Sequence, residues 1–279
     1  MKFGINSLLW TAGFGLDDLK LLESIKAWGF DGIEVARFDF RGFPARILGQ
    51  AVRNEGLEVT FCSALTGDLS LVSDDPRVRQ RAADFIRAAV ETAAEIGSPV
   101  LVGPYLAPVG LLPGRRRTDD EWKRGQDELR TLIPQLRARD VTLALEPLNR
   151  FETYFLNTAA DAARLCAEIG DPYVGVLFDT FHANIEEKHA GDAIRTLGPH
   201  VAHVHTCEND RGVPGTGHVA WPEVFAGLRD IGYNDWCVIE SFGARVEEIA
   251  AAACVWRDLA PSSEAVAREG LEFLRAAAQ

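Results

Sequence analysis

Four residues stand at the carboxyl ends of four short apolar runs, and their types form a ligand set. Glu146 closes VTLALE, Asp179 closes VGVLFD, His205 closes VAHVH and Glu240 closes WCVIE. Each run is rich in Val, Leu or Ile and too short for a free-standing helix, which is how a buried parallel strand reads. Barrels and doubly wound sheets place their chemistry at the carboxyl ends of such strands. Three carboxylates and one imidazole suit a hard-to-intermediate divalent cation, Mn²⁺, Mg²⁺ or Co²⁺, better than a thiolate-type zinc site. One Glu at a strand end is ordinarily solvated rim. Four ligand-type residues at successive strand ends are harder to explain that way. His203 shares a face with His205 under strict alternation. His205 is taken as the ligand because it lies nearer the carboxyl end.

A second group follows the ligands in sequence. Glu152 lies past Glu146, His182 past Asp179 and Arg211 past His205, all in segments expected at the same rim. They offer an acceptor, an imidazole and a cationic donor to a polyhydroxylated substrate. Each taken alone reads equally as a loop salt bridge. Trp10 and Phe14 can wall the pocket against the apolar face of a sugar, or simply pack. Glu34, at the end of a second strand, is a further polar candidate without an assigned role. Cys207 is near enough in sequence to approach the site, although packing is the simpler use.

The elements that must position these groups alternate along the chain. FGINSLLW (3–10), DGIEVAR, LEVTFCSAL and SPVLVG read as the first four strands, and the four ligand-bearing runs are the next four. Helical periodicity falls between them. It includes a stretch that stops at Gly29, helices near 44–55 and 77–96, one capped by Thr118 that runs to Arg139, one starting at 157–158, and a single helix over 185–198. Strict alternation predicts one α/β domain over 1–279, a single (β/α)₈ TIM barrel with C-terminal helices about 244–279 and a break at Pro261. A doubly wound sheet is the alternative, but no G-x-G-x-x-G or G-x-x-x-x-G-K-[ST] turn is present. The segment 103–120, with three prolines and three glycines, is long for a βα connection and is expected to be a surface excursion or a lid or wall over the strand ends.

Composition narrows the partners. The net charge of −12 argues against nucleic acid or an anionic membrane surface. The five cysteines are scattered without a C-x-x-C, which fits a reducing compartment. No signal peptide and no membrane-spanning apolar run are read, so a cytoplasmic location is expected.

The stretches EPLNRFETYFLNT, FDTFHANIEE, HTCENDRGVPGTGHVAW and VIESF resemble the ketose 3-epimerases, the D-tagatose, D-allulose (psicose) and L-ribulose 3-epimerases of the xylose-isomerase-like barrels. CVWRDLA and GLEFLR resemble that family's terminal helices. The likeness spans the chain but is sharp only from residue 141 onward. It implies that Glu146, Asp179, His205 and Glu240 bind Mn²⁺ or a similar ion, and that Glu146 and Glu240 also exchange the C3 proton. It further implies that Glu152, His182 and Arg211 hold the first oxygens of a monosaccharide, and that the protein is a homodimer or homotetramer. The segment 103–120 departs from the family pattern and falls toward the far end of the sugar.

The expected reaction is reversible inversion at C3 of a free ketose through a cis-enediolate. The metal polarises C2=O while one glutamate removes the proton and the other returns one to the opposite face. The substrates in view are D-allulose/D-fructose, D-tagatose/D-sorbose and L-ribulose. The main rival is a lyase or dehydratase on a 3-keto sugar, keto-glycoside or inosose. An aldose–ketose isomerase is nearer in chemistry. A metal-dependent phosphodiesterase would need a larger metal cluster and a cationic face, and a sugar-binding protein would not need two opposed glutamates.

Overall fold

The computed structural model describes residues 1–243, 251 and 253–279. Its strands are β1 (Lys2–Asn6), β2 (Gly32–Ala36), β3 (Glu58–Cys62), β4 (Val100–Gly103), β5 (Thr142–Leu145), β6 (Val174–Asp179), β7 (Val201–His205) and β8 (Trp236–Ile239). All pair in parallel, each with the next in sequence, and β8 returns to β1 to close the barrel. The fold is a (β/α)₈ barrel. The doubly wound alternative is excluded because the sheet has no open edge.

Strand alternation divides the barrel into two layers. One set of side chains, including Ile5, Ile33, Phe61, Leu143, Phe178 and Ile239, packs outward against the helices. A smaller set, Ala36, Cys62, Val102, Ala144 and Leu177, fills the lumen. Period two then fixes the direction of the chemistry. Glu146 lies two residues past Ala144, and Asp179 two past Leu177, so both carboxylates point inward. Gly32 serves the floor of the lumen: a Cβ there would meet the Glu58 carbonyl oxygen at 2.5 Å and the Trp236 ring at 2.6 Å.

The helices are α1 (Lys20–Trp28), α2 (Ala45–Asn54), α3 (Pro76–Ile96), α4 (Asp119–Arg139), α5 (Ala159–Ile169), α6 (Thr180–Glu186), α7 (Ala190–Leu197), α8 (Trp221–Asp230) and a C-terminal helix (Ser263–Ala277). Thr118 caps α4 with its hydroxyl on the Glu121 N–H, and Thr158 caps α5 through the Asp161 N–H, as their residue types predict. Ser262 caps the C-terminal helix just after Pro261. Of the C-terminal helices expected over 244–279, residues 244–250 and 252 lie outside the described residues. Among the described residues, no helix is long and apolar enough to cross a membrane.

Two expectations are corrected. The first strand ends at Asn6, not residue 10, because the Asn6 side chain accepts the Leu8 N–H and starts a 3₁₀ turn over Ser7–Leu9. The helix expected over 185–198 is two helices. Asp179 caps α6 from Thr180 onward, and the chain leaves the helix at Glu187 before α7 begins at Ala190.

Candidate active site

Strands β5 to β8 bring Glu146, Asp179, His205 and Glu240 together. One ligand-type atom from each lies within 4.8 Å of every other, and all four residues are buried. Their spacing follows from the strand ends: Asp179 and His205 are the last residues of β6 and β7, while Glu146 and Glu240 are the first past β5 and β8. Asp179 spends Oδ1 on the Phe181 N–H at 2.7 Å, which leaves Oδ2 for the cluster. His205 places Nε2 2.7 Å from Glu34 Oε1. Its Nδ1 stands 3.4 Å from Glu240 Oε2 and 3.9 Å from Asp179 Oδ2, with no hydrogen-bond partner.

Three carboxylates this close, and this buried, need positive charge among them; Arg211 supplies one cation, to Asp179 and Glu240, and makes no bond to Glu146. Burial, and then the charge of Glu240, pushes the Glu146 carboxyl well above its ordinary range. Burial also works against the Asp179 carboxylate, yet Arg211, His182 and His205 hold it below its usual value. The orphaned Nδ1 of His205, aimed at carboxylate oxygens, completes an oxygen and nitrogen set. The residues present therefore fit a divalent cation.

Arg211 reaches into the same cluster. Its Nη1 donates to Asp179 Oδ2 at 2.8 Å and to Glu240 Oε2 at 2.9 Å, and it also meets Cys207 Sγ at 2.8 Å. Its guanidinium lies over the rings of Phe181 and Phe242, 4.0 and 5.0 Å from their centroids. Arg211 holds a left-handed backbone, φ 65°, which costs a non-glycine residue of order 1–3 kcal/mol. Its N–H donates to the carbonyl oxygen of the neighbouring Glu208 at 3.0 Å. The Glu208 carboxylate accepts from the N–H groups of Gly215 at 2.8 Å and Val219 at 3.0 Å, and from Trp221 Nε1 at 3.0 Å. Burial opposes this carboxylate, but its donors keep it below the ordinary range.

His182 and Glu152 meet through Asn149. The Asn149 N–H donates to His182 Nδ1 at 3.1 Å, and Asn149 Nδ2 donates to Glu152 Oε1 at 2.8 Å. With Nδ1 accepting, the neutral ring carries its proton on Nε2. That atom stands 3.5 Å from Glu146 Oε1 and 3.3 Å from Arg211 Nη2. Burial lowers the basicity of His182 and keeps the ring neutral, despite the opposing charge of Asp179.

Glu146, Glu240, Glu152, His182 and Arg211 line one cavity of about 710 Å³. A larger groove, about 810 Å³, runs between α1 and the C-terminal helix past Arg268, Glu272 and Arg275. Among the described residues it holds no converging ligand set, so the smaller cavity is the candidate site. Trp10 and Phe14 are not among its lining residues. Trp10 stacks on Trp28 at 6.1 Å between centroids and borders a neighbouring cleft, because the 3₁₀ turn redirects the chain after Asn6. Phe14 is wholly buried in the outer core. The aromatic wall comes instead from Phe38, Phe181 and Phe242.

The segment 103–120 divides in two. Pro104 and Val109 line the cavity, and Tyr105, Leu106 and Ala107 are buried beneath it. Leu111 and Leu112 face outward. Arg117 then pins the return to α4 with paired bonds to Asp161 at 2.7 and 2.9 Å. The first half is a pocket wall and the tip is a surface excursion.

Residues 22–277 match the family described as the xylose isomerase-like TIM barrel. The chain is 37% identical over 275 residues to a probable ketose 3-epimerase of Synechocystis sp., covering 99% of this chain and 96% of that protein. It is 34% identical to a D-psicose 3-epimerase of Enterocloster bolteae, covering 99% and 95%. A solved structure of an L-ribulose 3-epimerase superposes with a TM-score of 0.94 at 30% identity, covering 99% of this chain and 94% of that one.

Proposed function

The chain belongs to the ketose 3-epimerases of the xylose isomerase-like TIM barrel family, and from that premise we propose that it is a divalent-metal-dependent isomerase that inverts C3 of a free ketose. The observation that carries this reading is the meeting of Glu146 and Glu240, which come from the two outer strands of the ligand arc and line a sugar-sized cavity, with the buried Asp179 and His205.

A cation held by Glu146, Asp179, His205 and Glu240, with Mn²⁺ as the favoured ion, would supply the positive charge that polarises C2=O and eases loss of the C3 proton. The protein's own groups do the rest. Glu146 and Glu240 approach the substrate from different strands, so one takes the proton from one face of C3 and the other returns a proton to the opposite face. An unperturbed Glu near pKa ~4.3 is a weak base. Burial and the neighbouring Glu240 raise Glu146 toward the range where it can both accept and donate.

His182 donates from Nε2 to a sugar oxygen and stays neutral, so it adds no charge that competes for the carboxylates. Arg211 donates to the oxygen that gains charge as C3 is deprotonated. Glu152, held by Asn149, accepts from a hydroxyl. Phe181 and Phe242 keep water off the reacting face and fix the guanidinium plane. The 104–109 wall lies toward the far end of the sugar, where ketoses of different length and configuration differ. Trp10 is withdrawn from the substrate contacts because it lines a different cleft.

We take the working protein to be a homodimer or homotetramer in a reducing, cytoplasmic setting, which its five free thiols suit. The substrate test uses metal-reconstituted protein with D-allulose, D-fructose, D-tagatose and L-ribulose, and identifies products by carbon NMR. The C3 epimer of at least one ketose is expected. An aldose product would make it an aldose–ketose isomerase. Inertness toward all four, with release of a leaving group from a keto-glycoside, would make it a lyase.

A further inference from the structure

One layer below the cluster lies a carboxylate that takes no direct part in the proposed chemistry. Glu34, on β2, is fully buried in the lumen. Its Oε1 accepts from Asn6 Nδ2 at 2.8 Å and lies 2.7 Å from His205 Nε2. Its Oε2 accepts from the Thr60 hydroxyl at 2.9 Å and lies 2.9 Å from His203 Nε2, without hydrogen-bond alignment. The contacts come from β1, β3 and β7, so the carboxylate ties the barrel together across its lumen.

The orientation of Asn6 is fixed independently. Its Oδ1 accepts the Leu8 N–H at 2.9 Å, so its amide nitrogen must face Glu34. Glu34 Oε1 is therefore an acceptor, and the His205 Nε2 beside it must carry hydrogen. An imidazole that bears hydrogen on Nε2 offers the lone pair of Nδ1, the atom aimed at Glu240 and Asp179.

We infer that Glu34 is a positioning residue: through its hydrogen bond to Nε2 it fixes the tautomer and ring plane of His205 and so presents Nδ1 to the metal. The inference rests on the metal reading above. Glu34, His203 and His205 are also close enough to hold an ion of their own. The geometry points away from that use, because Asn6 and Thr60 already donate to both Glu34 oxygens. His203 is a second imidazole against the same carboxylate, its ring 5.4 Å from that of His205 at 79°.

Glu34→Ala removes the acceptor and frees the His205 ring. Glu34→Gln keeps a carbonyl oxygen toward Asn6 and His205, because Asn6 can only donate there, and turns its amide toward the Thr60 hydroxyl. Loss of such an outer partner weakens metal binding about 10- to 100-fold. Glu34→Ala is expected to fall in that range, and Glu34→Gln to recover most of the loss.

The test measures Mn²⁺ binding by calorimetry on stripped wild type, Glu34→Ala, Glu34→Gln and Asp179→Asn. Nitrogen-15 NMR of the Mg²⁺-loaded wild type accompanies it. The expected spectrum shows His205 with hydrogen on Nε2, and the expected affinities rank wild type, Gln, then Ala. A folded Glu34→Ala that binds Mn²⁺ as wild type does, or a His205 whose Nε2 lacks hydrogen, overturns the inference. The wild-type spectrum decides the tautomer even if the Ala variant does not fold. Wild type that takes up no Mn²⁺, or an Asp179→Asn that binds as well as wild type, overturns the metal reading itself.

Discussion

The backbone N–H of Asn149 donates to Nδ1 of His182 across 3.1 Å, and that bond decides which ring nitrogen faces the cavity. The same residue holds Glu152 through its side-chain amide. Asn149 thus orients the two groups proposed to contact the sugar while making no hydrogen bond to a metal ligand. Asn149→Ala keeps the backbone N–H and so the His182 bond, but it removes the amide that holds Glu152; it is expected to lower kcat/KM roughly tenfold, the ~1.4 kcal/mol scale of one such hydrogen bond, mainly through KM. Mn²⁺ affinity should be unchanged. Steady-state kinetics with calorimetry checks both, and an unaltered KM contradicts the assignment.

The cluster also makes the fold depend on its cation. Glu146, Asp179 and Glu240 are crowded and buried, so a bound cation relieves their repulsion in the native state alone. A ligand at 100 times its Kd stabilises by about 2.7 kcal/mol. Stripping with chelator should lower the thermal midpoint, and titrating Mn²⁺ back should raise it progressively. A midpoint indifferent to Mn²⁺ counts against the site.

Acid should loosen the pocket wall at its anchor. Arg115 donates to both oxygens of Glu121 at 2.8 and 2.9 Å, the Thr118 N–H adds a bond at 2.7 Å, and the Tyr154 hydroxyl another at 2.9 Å. Arg115 leads in holding this carboxyl down to about 2 from 4.5, with burial opposing. A carboxyl lowered on folding stabilises fully above its unfolded value and loses that contribution as pH falls through the folded one. The thermal midpoint should therefore drop between about pH 4.5 and 2. Glu121→Gln should lose stability near neutrality and show a shallower acid slope. Parallel wild-type and variant curves would remove Glu121 from this role.

Much of the site was legible because a strand has period two. Each ligand follows an apolar run and lies an even number of residues beyond a lumen residue, as Glu146 does after Ala144. The caps at Thr118 and Thr158 were equally readable, since their hydroxyls serve N–H groups three residues on. Trp10 was misplaced because a 3₁₀ turn, set by one Asn6 side-chain bond, intervenes between strand and loop. Phe181 and Phe242 were hidden for a different reason: their role depends on where the Arg211 guanidinium lies. Glu34 carried a partial signal, a charged residue in the inward register of a buried strand. Its partner His205 is 171 residues away, and no local pattern joins the two.

Glu146 and Glu240 are also expected metal ligands, so their isosteric variants are compared only as metal-loaded protein. Glu146→Gln and Glu240→Gln each remove a proton carrier and retain the side-chain shape. Each is expected to leave less than about 1% of turnover, the scale of losing a general acid–base group. Epimerisation retained above that level in metal-loaded variant protein takes that residue out of proton transfer.

The central claim is that C3 of a ketose loses and regains a proton in this cavity, and isotope exchange reports that event directly. The measurement is NMR of metal-loaded protein with its preferred ketose in D₂O. The account predicts deuterium at C3 appearing together with the C3 epimer. Epimer formed without solvent deuterium at C3, or no exchange at C3 from protein shown to hold its metal, would contradict it.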